Sequence, residues 1–293
     1  MVADTELPAV YQAADAASLA GQRRFVATLR YRVVGYVVAA VGGAFVWSVG
    51  RIDILGVLAL VGLLAAVGAE IYTIREKPDR TWYEGRAAAE SAKTLSWRYM
   101  VGGAPFGLTD VSLQDADKEF ANELRAIFRV LTDLDAPPAI TSEHQITQTM
   151  RAHRASSLDE RRKLYDEERI EDQRRWYSHK AKWNSGRARG YELVSLILQL
   201  GGVFAAGLKA FTIVSIDLLG IVGALGGALL TWSQARQHRS LASAYQIAAQ
   251  ELAAIRSLMS QERTEEEWAQ FVNESEEAIS REHTLWRASR GVA

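Results

Sequence analysis

The stretch VVGYVVAAVGGAFVWSVG, at residues 33–50, contains no charged side chain, and the stretch ILGVLALVGLLAAVGA follows it at residues 54–69. Drawn as helices, both are apolar on every side, whereas a surface helix of a soluble protein keeps a polar stripe. The first stretch has 18 residues, and a rise of about 1.5 Å per residue makes it about 27 Å long, close to the thickness of a hydrocarbon core. The sequence therefore predicts two membrane-spanning helices joined by a short turn.

A second pair of uncharged runs lies farther along the chain, with 16 residues between Glu192 and Lys209 and 18 between Asp217 and Arg236. The chain has 293 residues, of which 34 are Lys or Arg and 35 are Asp or Glu, yet segments 33–74 and 190–235 contain only six of these charges. Such segregation argues against one large soluble globule. It predicts an all-α membrane protein with two tandem two-transmembrane helical hairpins and long cytoplasmic helical extensions.

Basic residues near the ends of the four runs predict the orientation. Fourteen Lys and Arg residues flank the ends at which the hairpins begin and finish, and only Arg51 and Lys209 lie at the turns. Because cytoplasmic loops carry an excess of Lys and Arg, we expect a multi-pass protein of the inner (cytoplasmic) membrane with both termini in the cytoplasm. No Lys or Arg precedes Arg23, so we expect no secretory signal peptide and a first helix that stays in the mature protein.

The two hairpins resemble each other in sequence. The segment Ile52-Asp53-Ile54-Leu55-Gly56 opens the second helix of the first hairpin, and Ile216-Asp217-Leu218-Leu219-Gly220 opens that of the other. This match predicts an internal duplication, with a first hairpin unit at residues 1–134, a linker at 135–150 and a second hairpin unit at 151–293. Because each unit crosses the membrane twice, we expect both to have the same orientation, as a parallel repeat about an axis along the membrane normal.

Small residues recur at intervals of four on each apolar helix, and such faces let helices approach closely in lipid. The sequence leaves open whether these faces pack within a hairpin or between subunits. The faces consist of Gly35, Ala39 and Gly43; Gly62 and Ala66; Gly202 and Ala206; and Gly223 and Gly227.

Polar side chains within or beside the apolar runs are costly there and are therefore candidates for function. Three of them fall on one face of the third helix, at positions i, i+3 and i+7. One interpretation is a water-lined pore with a cation-attracting mouth; the other is snorkelling, or salt bridges from the two glutamates to Arg75 or Arg189. The candidate pore-lining residues are Glu70, Glu192, Ser195, Gln199 and Gln234.

A helix predicted at residues 82–99 carries its aromatic and charged side chains on one face, spaced 4, 4, 3 and 4. The first interpretation is a buried aromatic and ionic interface against a neighbouring helix. The second is a ligand or anion site at Arg86, Lys93 and Arg98. The stripe consists of Trp82, Arg86, Glu90, Lys93 and Trp97, with Arg98 beside it.

Further amphipathic helices are predicted in the charged regions. One begins near Ser112 and has core spacing at Phe120, Leu124, Ile127, Phe128 and Leu131. Residues 158–183 mix both signs of charge, which favours a long, solvated polar helix that touches its neighbours and leads into the third apolar run. A capping box at Thr264 and Glu267 precedes a final helix with Trp268, Phe271, Val272, Ile279 and Trp286 on one face.

Motifs of common enzyme and metal sites are missing from the sequence. There is no phosphate-binding glycine-lysine loop and no H-E-x-x-H pair, the chain has no cysteine, and its five histidines never fall at paired ligand spacing. A net charge of −1 gives no general attraction to nucleic acid. We therefore expect no enzyme, no catalytic, cofactor-binding or metal site, and no nucleic-acid partner.

Two motifs carry a family resemblance. The pattern WYxxRAxAESxKTxxWRY at residues 82–99 resembles the signature that follows the second membrane helix in one subtype of the SLATT family, bacterial two-transmembrane effector domains associated with nucleotide-signalling systems. The pattern RxxDQxxWY at residues 169–177 is similar to the segment before the first membrane helix of another subtype. The resemblance covers residues 20–130 and 158–260. It implies a membrane pore that depolarises or kills the cell in antiviral defence when a linked sensor detects infection.

Two classes of function remain in view. The first is a homo-oligomeric, gated ion channel in the lipid bilayer that responds to a signalling nucleotide or to a cytoplasmic sensor protein. The second is a membrane-anchored helical scaffold or sensor that recruits a cytoplasmic partner. Substitution of Glu192 or Gln199 by Leu separates them, since only a pore depends on a polar lining.

Overall fold

The computed structural model describes residues 3–134, 145–214 and 216–289, and the all-α prediction is confirmed. Within these ranges the only strands are β1 (Ser48–Val49) and β2 (Ile52–Asp53), a two-residue antiparallel pair at the first turn. Residues 135–144, most of the predicted linker, lie outside the described residues.

In the part of the chain that the structure describes, four segments are long and apolar enough to cross a membrane, as predicted: α1, α2, the continuous run from α6 to α7, and the continuous run from α8 to α9. A 3-10 turn (Asp4–Glu6) precedes α1, and a π-helical turn (Tyr165–Glu171) joins α6 to α7. In chain order the helices are α1 (Ala9–Ala44), α2 (Ile54–Glu76), α3 (Pro78–Val101), α4 (Leu113–Asp133), α5 (Gln148–Arg154), α6 (Leu158–Leu164), α7 (Asp172–Ala210), α8 (Leu218–Arg236), α9 (His238–Leu258) and α10 (Glu265–Ser289).

Two compact units divide the chain. The core unit consists of Met1–Gln22, Asp79–Ala181 and Ser243–Ala293, and the membrane unit consists of Arg23–Pro78 and Lys182–Ala242. Both halves of the sequence contribute helices to both units, because α1, α7 and α9 each supply one part to the core unit and the other to the membrane unit.

The aspartates of the repeated motif cap the second helix of each hairpin. Asp53 accepts a hydrogen bond from the Leu55 N–H at 3.2 Å, and Asp217 accepts one from the Gly220 N–H at 3.3 Å. A Cβ atom at Gly220 would collide with the Asp217 carboxylate, and one at Gly56 would lie 3.0 Å from the Asp53 carboxylate, a tight contact. In the shared Asp-x-x-Gly spacing, glycine therefore leaves room for the capping side chain.

The first hairpin is packed backbone to backbone. A Cβ atom at Gly35 would lie 2.5 Å from the Gly62 carbonyl oxygen, and one at Gly42 would lie 2.6 Å from the Leu55 carbonyl oxygen. Gly62 and Ala66 are buried in this contact. The predicted small-residue face of α1 and α2 is thus used within the hairpin, although Gly43 has no neighbour within 4 Å.

The second hairpin is packed differently. No residue of α8 is buried, and a Cβ atom at Gly223, Gly226 or Gly227 would meet nothing within 4 Å. The small residues of α8 are therefore not used for packing within this hairpin.

The core unit buries aromatic side chains of α3, α4 and α10. Ser112 caps α4 and Thr264 caps α10, as predicted. Phe120, Leu124 and Leu131 are buried, whereas Phe128, which was also expected to face the core, is 40% exposed.

Candidate functional site

Two ion pairs hold the charged ends of the hairpins in the membrane unit. Glu70 of α2 pairs with Arg32 of α1, and Glu192 of α7 pairs with Arg239 of α9 at 2.6 Å. Arg32 and Arg239, and not the predicted Arg75 and Arg189, are thus the partners of the two glutamates, because the antiparallel neighbour helix presents its arginine at the same depth. All four side chains remain partly exposed, so the pairs neutralise charge more than they stabilise the fold.

Ser195 and Gln199 form a polar pair on α7. The Gln199 side-chain amide donates to the Ser195 hydroxyl at 3.1 Å, and Gln199 is exposed while Ser195 is half-buried. Gln199 lies ten residues from both Arg189 and Lys209, which places it about 15 Å from either charge along the helix. An amide therefore lies near the centre of an otherwise apolar run.

The structure brings together only part of the predicted pore-lining set. Ser195 and Gln199 contact each other, whereas Glu70 and Glu192 are held by their arginines. Gln234 is exposed near the end of α8, and among the described residues none forms a hydrogen bond with its side chain.

The aromatic and charged stripe of α3 lies in the core unit. Arg86 pairs with Glu90, the Lys93 ammonium lies 3.3 Å from the Asp4 carboxylate, and Arg98 donates to the Ala104 carbonyl at 2.7 Å. The rings of Trp82 and Tyr83 lie 4.9 Å apart and are tilted by 30°, and the buried Trp97 packs edge-on against Tyr165. Any anion at this stripe would have to compete with the existing partners of all three cations.

A buried ionic network, which the sequence analysis missed, lies beside the stripe. Arg169 donates to both carboxylate oxygens of Glu276, at 2.9 and 2.7 Å, and both side chains are fully buried. Thr94 and Tyr165 donate to the same carboxylate at 2.9 and 3.0 Å. Burial and then the Glu276 charge raise the pKa of Tyr165 well above its usual value, so the phenol stays neutral and donates.

Two further buried arginines hold the end of α3. Arg154 donates to the carbonyl groups of Tyr99 and Phe106, and Arg161 donates to that of Val101. Guanidinium groups at a helix C-terminus satisfy carbonyls that have no partner within the helix. Residues 158–183 lie in the continuous helical run that was predicted, and contact with neighbouring segments buries Arg161, Arg169 and Glu171.

Two family models match the chain. One is SMODS and SLOG-associating 2TM effector domain 3, over residues 8–162, which is more than half of the chain, and the other is SMODS and SLOG-associating 2TM effector domain 1, over residues 165–286. The chain belongs to the SLATT family. The resemblance is thus confirmed as two tandem SLATT domains of different subtypes. No curated protein and no solved structure matches it significantly.

This SLATT protein is a membrane-associated helical effector whose apolar helices contact the lipid bilayer. Its core unit joins the two SLATT domains through buried polar groups. Thr94 of the first domain donates to Glu276 of the second, and the Trp268 indole of the second donates to the Val101 carbonyl of the first at 2.8 Å. The two SLATT domains therefore share one core.

Glu171 lies at the centre of another charged cluster in the core unit. It accepts hydrogen bonds from Arg174, Arg175 and Arg256 at 2.6–2.8 Å. It precedes the apolar run of α7, which starts after Glu192, by about six helical turns. The hydrogen bonds from Arg174 and then Arg175, against some desolvation, lower the pKa of the Glu171 carboxyl from 4.5 to about 2.

Replacement of Glu171 by Gln is expected to reduce the loss of folding stability that occurs as the pH falls below 4.5. A lowered carboxyl pKa contributes stability that is complete above 4.5 and is lost as the pH falls towards 2. Because Arg174 and Arg175 are solvated, we expect a loss of about 1–2 kcal/mol at pH 7. Thermal unfolding in detergent at pH 7 and pH 3 measures it, with Glu167→Gln on the same turn as the control. An unchanged pH dependence in Glu171→Gln would contradict the assignment.

Proposed function

We propose that this SLATT protein assembles as a homo-oligomer and forms a gated, ion-conducting pore in the cytoplasmic membrane, with both termini in the cytoplasm. The observation that carries the proposal is the exposed Gln199 amide, hydrogen-bonded to Ser195, near the centre of the apolar run of α7. The Lys and Arg asymmetry supports the orientation. The proposal assigns no catalytic chemistry to the chain.

An exposed amide at this depth needs a polar partner. Ser195 satisfies only one of the several hydrogen-bonding groups of Gln199, and leaving the rest in hydrocarbon costs free energy. Neighbouring exposed side chains of α7, such as Ile197, Leu200 and Val203, suit lipid. The polar face is therefore best satisfied by water, or by the same face of another copy around a shared axis.

The open small residues of α8 support the assembly. In α1 and α2 the equivalent face is filled by the partner helix of the hairpin, whereas Gly223 and Gly227 face open space. Close packing of small residues drives helix association in lipid. We propose that α8 packs against a neighbouring subunit.

The core unit is proposed to receive the opening signal. The family description names an association with SMODS and SLOG, and we propose a cytoplasmic sensor protein or a signalling nucleotide as the trigger, in antiviral defence. At the membrane, the Glu192–Arg239 pair is the proposed gate element, because its separation would free a carboxylate on the same face as Gln199.

Replacement of Gln199 by Leu is expected to lower ion flux at least about tenfold, because an apolar constriction loses the water that carries ions. Purified protein in liposomes, with flux and single-channel current recorded, measures the effect. The matched control is Thr231→Val, which also removes a polar group from an apolar helix. The Thr231 hydroxyl already donates to the Gly227 carbonyl at 2.9 Å, so the control should conduct normally.

Two outcomes would contradict the pore. One is normal conductance by Gln199→Leu. The other is a folded, oligomeric wild-type protein that carries no current at any voltage or with any candidate ligand. The second outcome would favour the membrane-anchored scaffold.

A further inference from the structure

A groove of about 450 Å³ lies between α1 and α2 in the membrane unit. Its lining includes Arg24, Ala27 and Tyr31 from α1, and Ala65, Ala69 and Tyr72 from α2. These positions are spaced three or four residues apart, so each set occupies one face of its helix. The volume lies within the range of roughly 300–1,000 Å³ that is typical of ligand pockets.

The groove changes from polar to apolar along the helix axes. Arg24 lies about 10 Å from Tyr31 along α1, on the side away from the uncharged run that starts after Arg32. Ala65 and Ala69 belong to the uncharged run of α2 and form an apolar floor. Tyr31 and Tyr72, both exposed, stand at the border, where tyrosine is typical of membrane–water interfaces.

Arg24 brings an uncompensated positive charge to this groove. Arg32, two turns away, is paired with Glu70, but none of the described acidic residues forms an ion pair with Arg24. The nearby Thr28 hydroxyl donates to the Arg24 carbonyl at 2.8 Å and is thereby occupied. A guanidinium group is well suited to bind a phosphate through paired hydrogen bonds.

We infer that this groove binds one anionic phospholipid, with the phosphate at Arg24 and an acyl chain over Ala27, Ala65 and Ala69. Charge complementarity favours a phospholipid in this groove over a helix of a second copy of the chain. A phospholipid presents a negative group at the charged end and methylene groups at the apolar end, in the same order as the groove, whereas a helix would have to bury the Arg24 charge. The inference rests on the membrane assignment and is independent of the proposed pore.

Native mass spectrometry of the full chain in detergent, titrated with palmitoyl-oleoyl phosphatidylglycerol or the matching phosphatidylcholine, tests the site. We expect wild type to retain one phosphatidylglycerol per chain in preference to phosphatidylcholine. Arg24→Gln should weaken retention about tenfold, as expected for the loss of one charged hydrogen-bonding group. The matched control is Arg23→Gln, an adjacent exposed arginine outside the groove, which should change retention less than twofold.

A second variant tests the acyl-chain position without removing charge. Ala65 is exposed, so Ala65→Phe fills the groove with little risk to folding, and it should abolish selective retention while the unfolding midpoint stays near that of wild type. Equal losses in Arg23→Gln and Arg24→Gln would mean diffuse attraction to a charged surface and would overturn the site. So would an Ala65→Phe protein that changes its oligomeric mass but keeps its lipid, since the groove would then be a subunit contact.

Discussion

Replacement of Glu276 by Ala is expected to lower the free energy of unfolding of the core unit by about 3–5 kcal/mol. The substitution leaves the Arg169 guanidinium buried without its counter-ion, and it removes the acceptor of Thr94 and Tyr165 as well. One nitrogen of Arg169, Nη1, is already buried without a hydrogen bond, so few hydrogen-bond acceptors would remain for the guanidinium group. Thermal unfolding in detergent, followed by tryptophan fluorescence, measures the loss.

The control for this prediction is Glu277→Ala. Glu277 is exposed and accepts a hydrogen bond from Asn273 at 2.9 Å, so its loss should cost less than about 0.5 kcal/mol. The double variant Arg169→Met, Glu276→Leu removes both charges and should recover much of the stability, because buried pairs are replaceable by apolar groups of similar volume. A Glu276→Ala protein as stable as Glu277→Ala would show that the pair is solvated in solution.

Replacement of Gly35 by Leu is expected to destabilise the first hairpin by about 1–3 kcal/mol or more. Its Cβ would lie 2.5 Å from the Gly62 carbonyl oxygen and 3.1 Å from the Ala66 Cβ. These neighbours are backbone or a short side chain, so the helices must separate to make room. The loss should appear as a lower unfolding midpoint of the purified protein in detergent.

Gly43→Leu is the matched control for Gly35→Leu. Gly43 lies on the same helix, eight residues away, and a Cβ there meets nothing within 4 Å. Its unfolding midpoint should remain close to that of wild type. Equal effects at the two positions would indicate that helix propensity, rather than the hairpin contact, decides the outcome.

The stripe of α3 illustrates what sequence periodicity reveals and what it conceals. The spacing from Trp82 to Trp97 identified the face, since residues three or four apart share one side of a helix. Its partners were not visible in the sequence, because Asp4 lies 89 residues from Lys93 and Tyr165 lies 68 residues from Trp97. No local pattern encodes such pairs.

Residues 158–183 show why charge composition alone misleads. Interleaved acids and bases predict a solvated helix, yet Arg161, Arg169 and Glu171 are buried. Each has bonded partners there, and a buried charge is tolerated only when its partners are present. Glu171 has two of its partners, Arg174 and Arg175, on its own helix, but further partners come from α3, α9 and α10, so most of this network depends on the packing of distant segments.

The amino-acid sequence by itself determined the four apolar helices, their pairing in two hairpins and the family, because these depend on hydrophobicity, helical period and short motifs. Only the tertiary structure decided that the two SLATT domains share one core, that α1 and α2 are in close contact while α8 is open, and which arginine neutralises each carboxylate. These features depend on which helices become neighbours, and that choice is made by the packing of the whole chain.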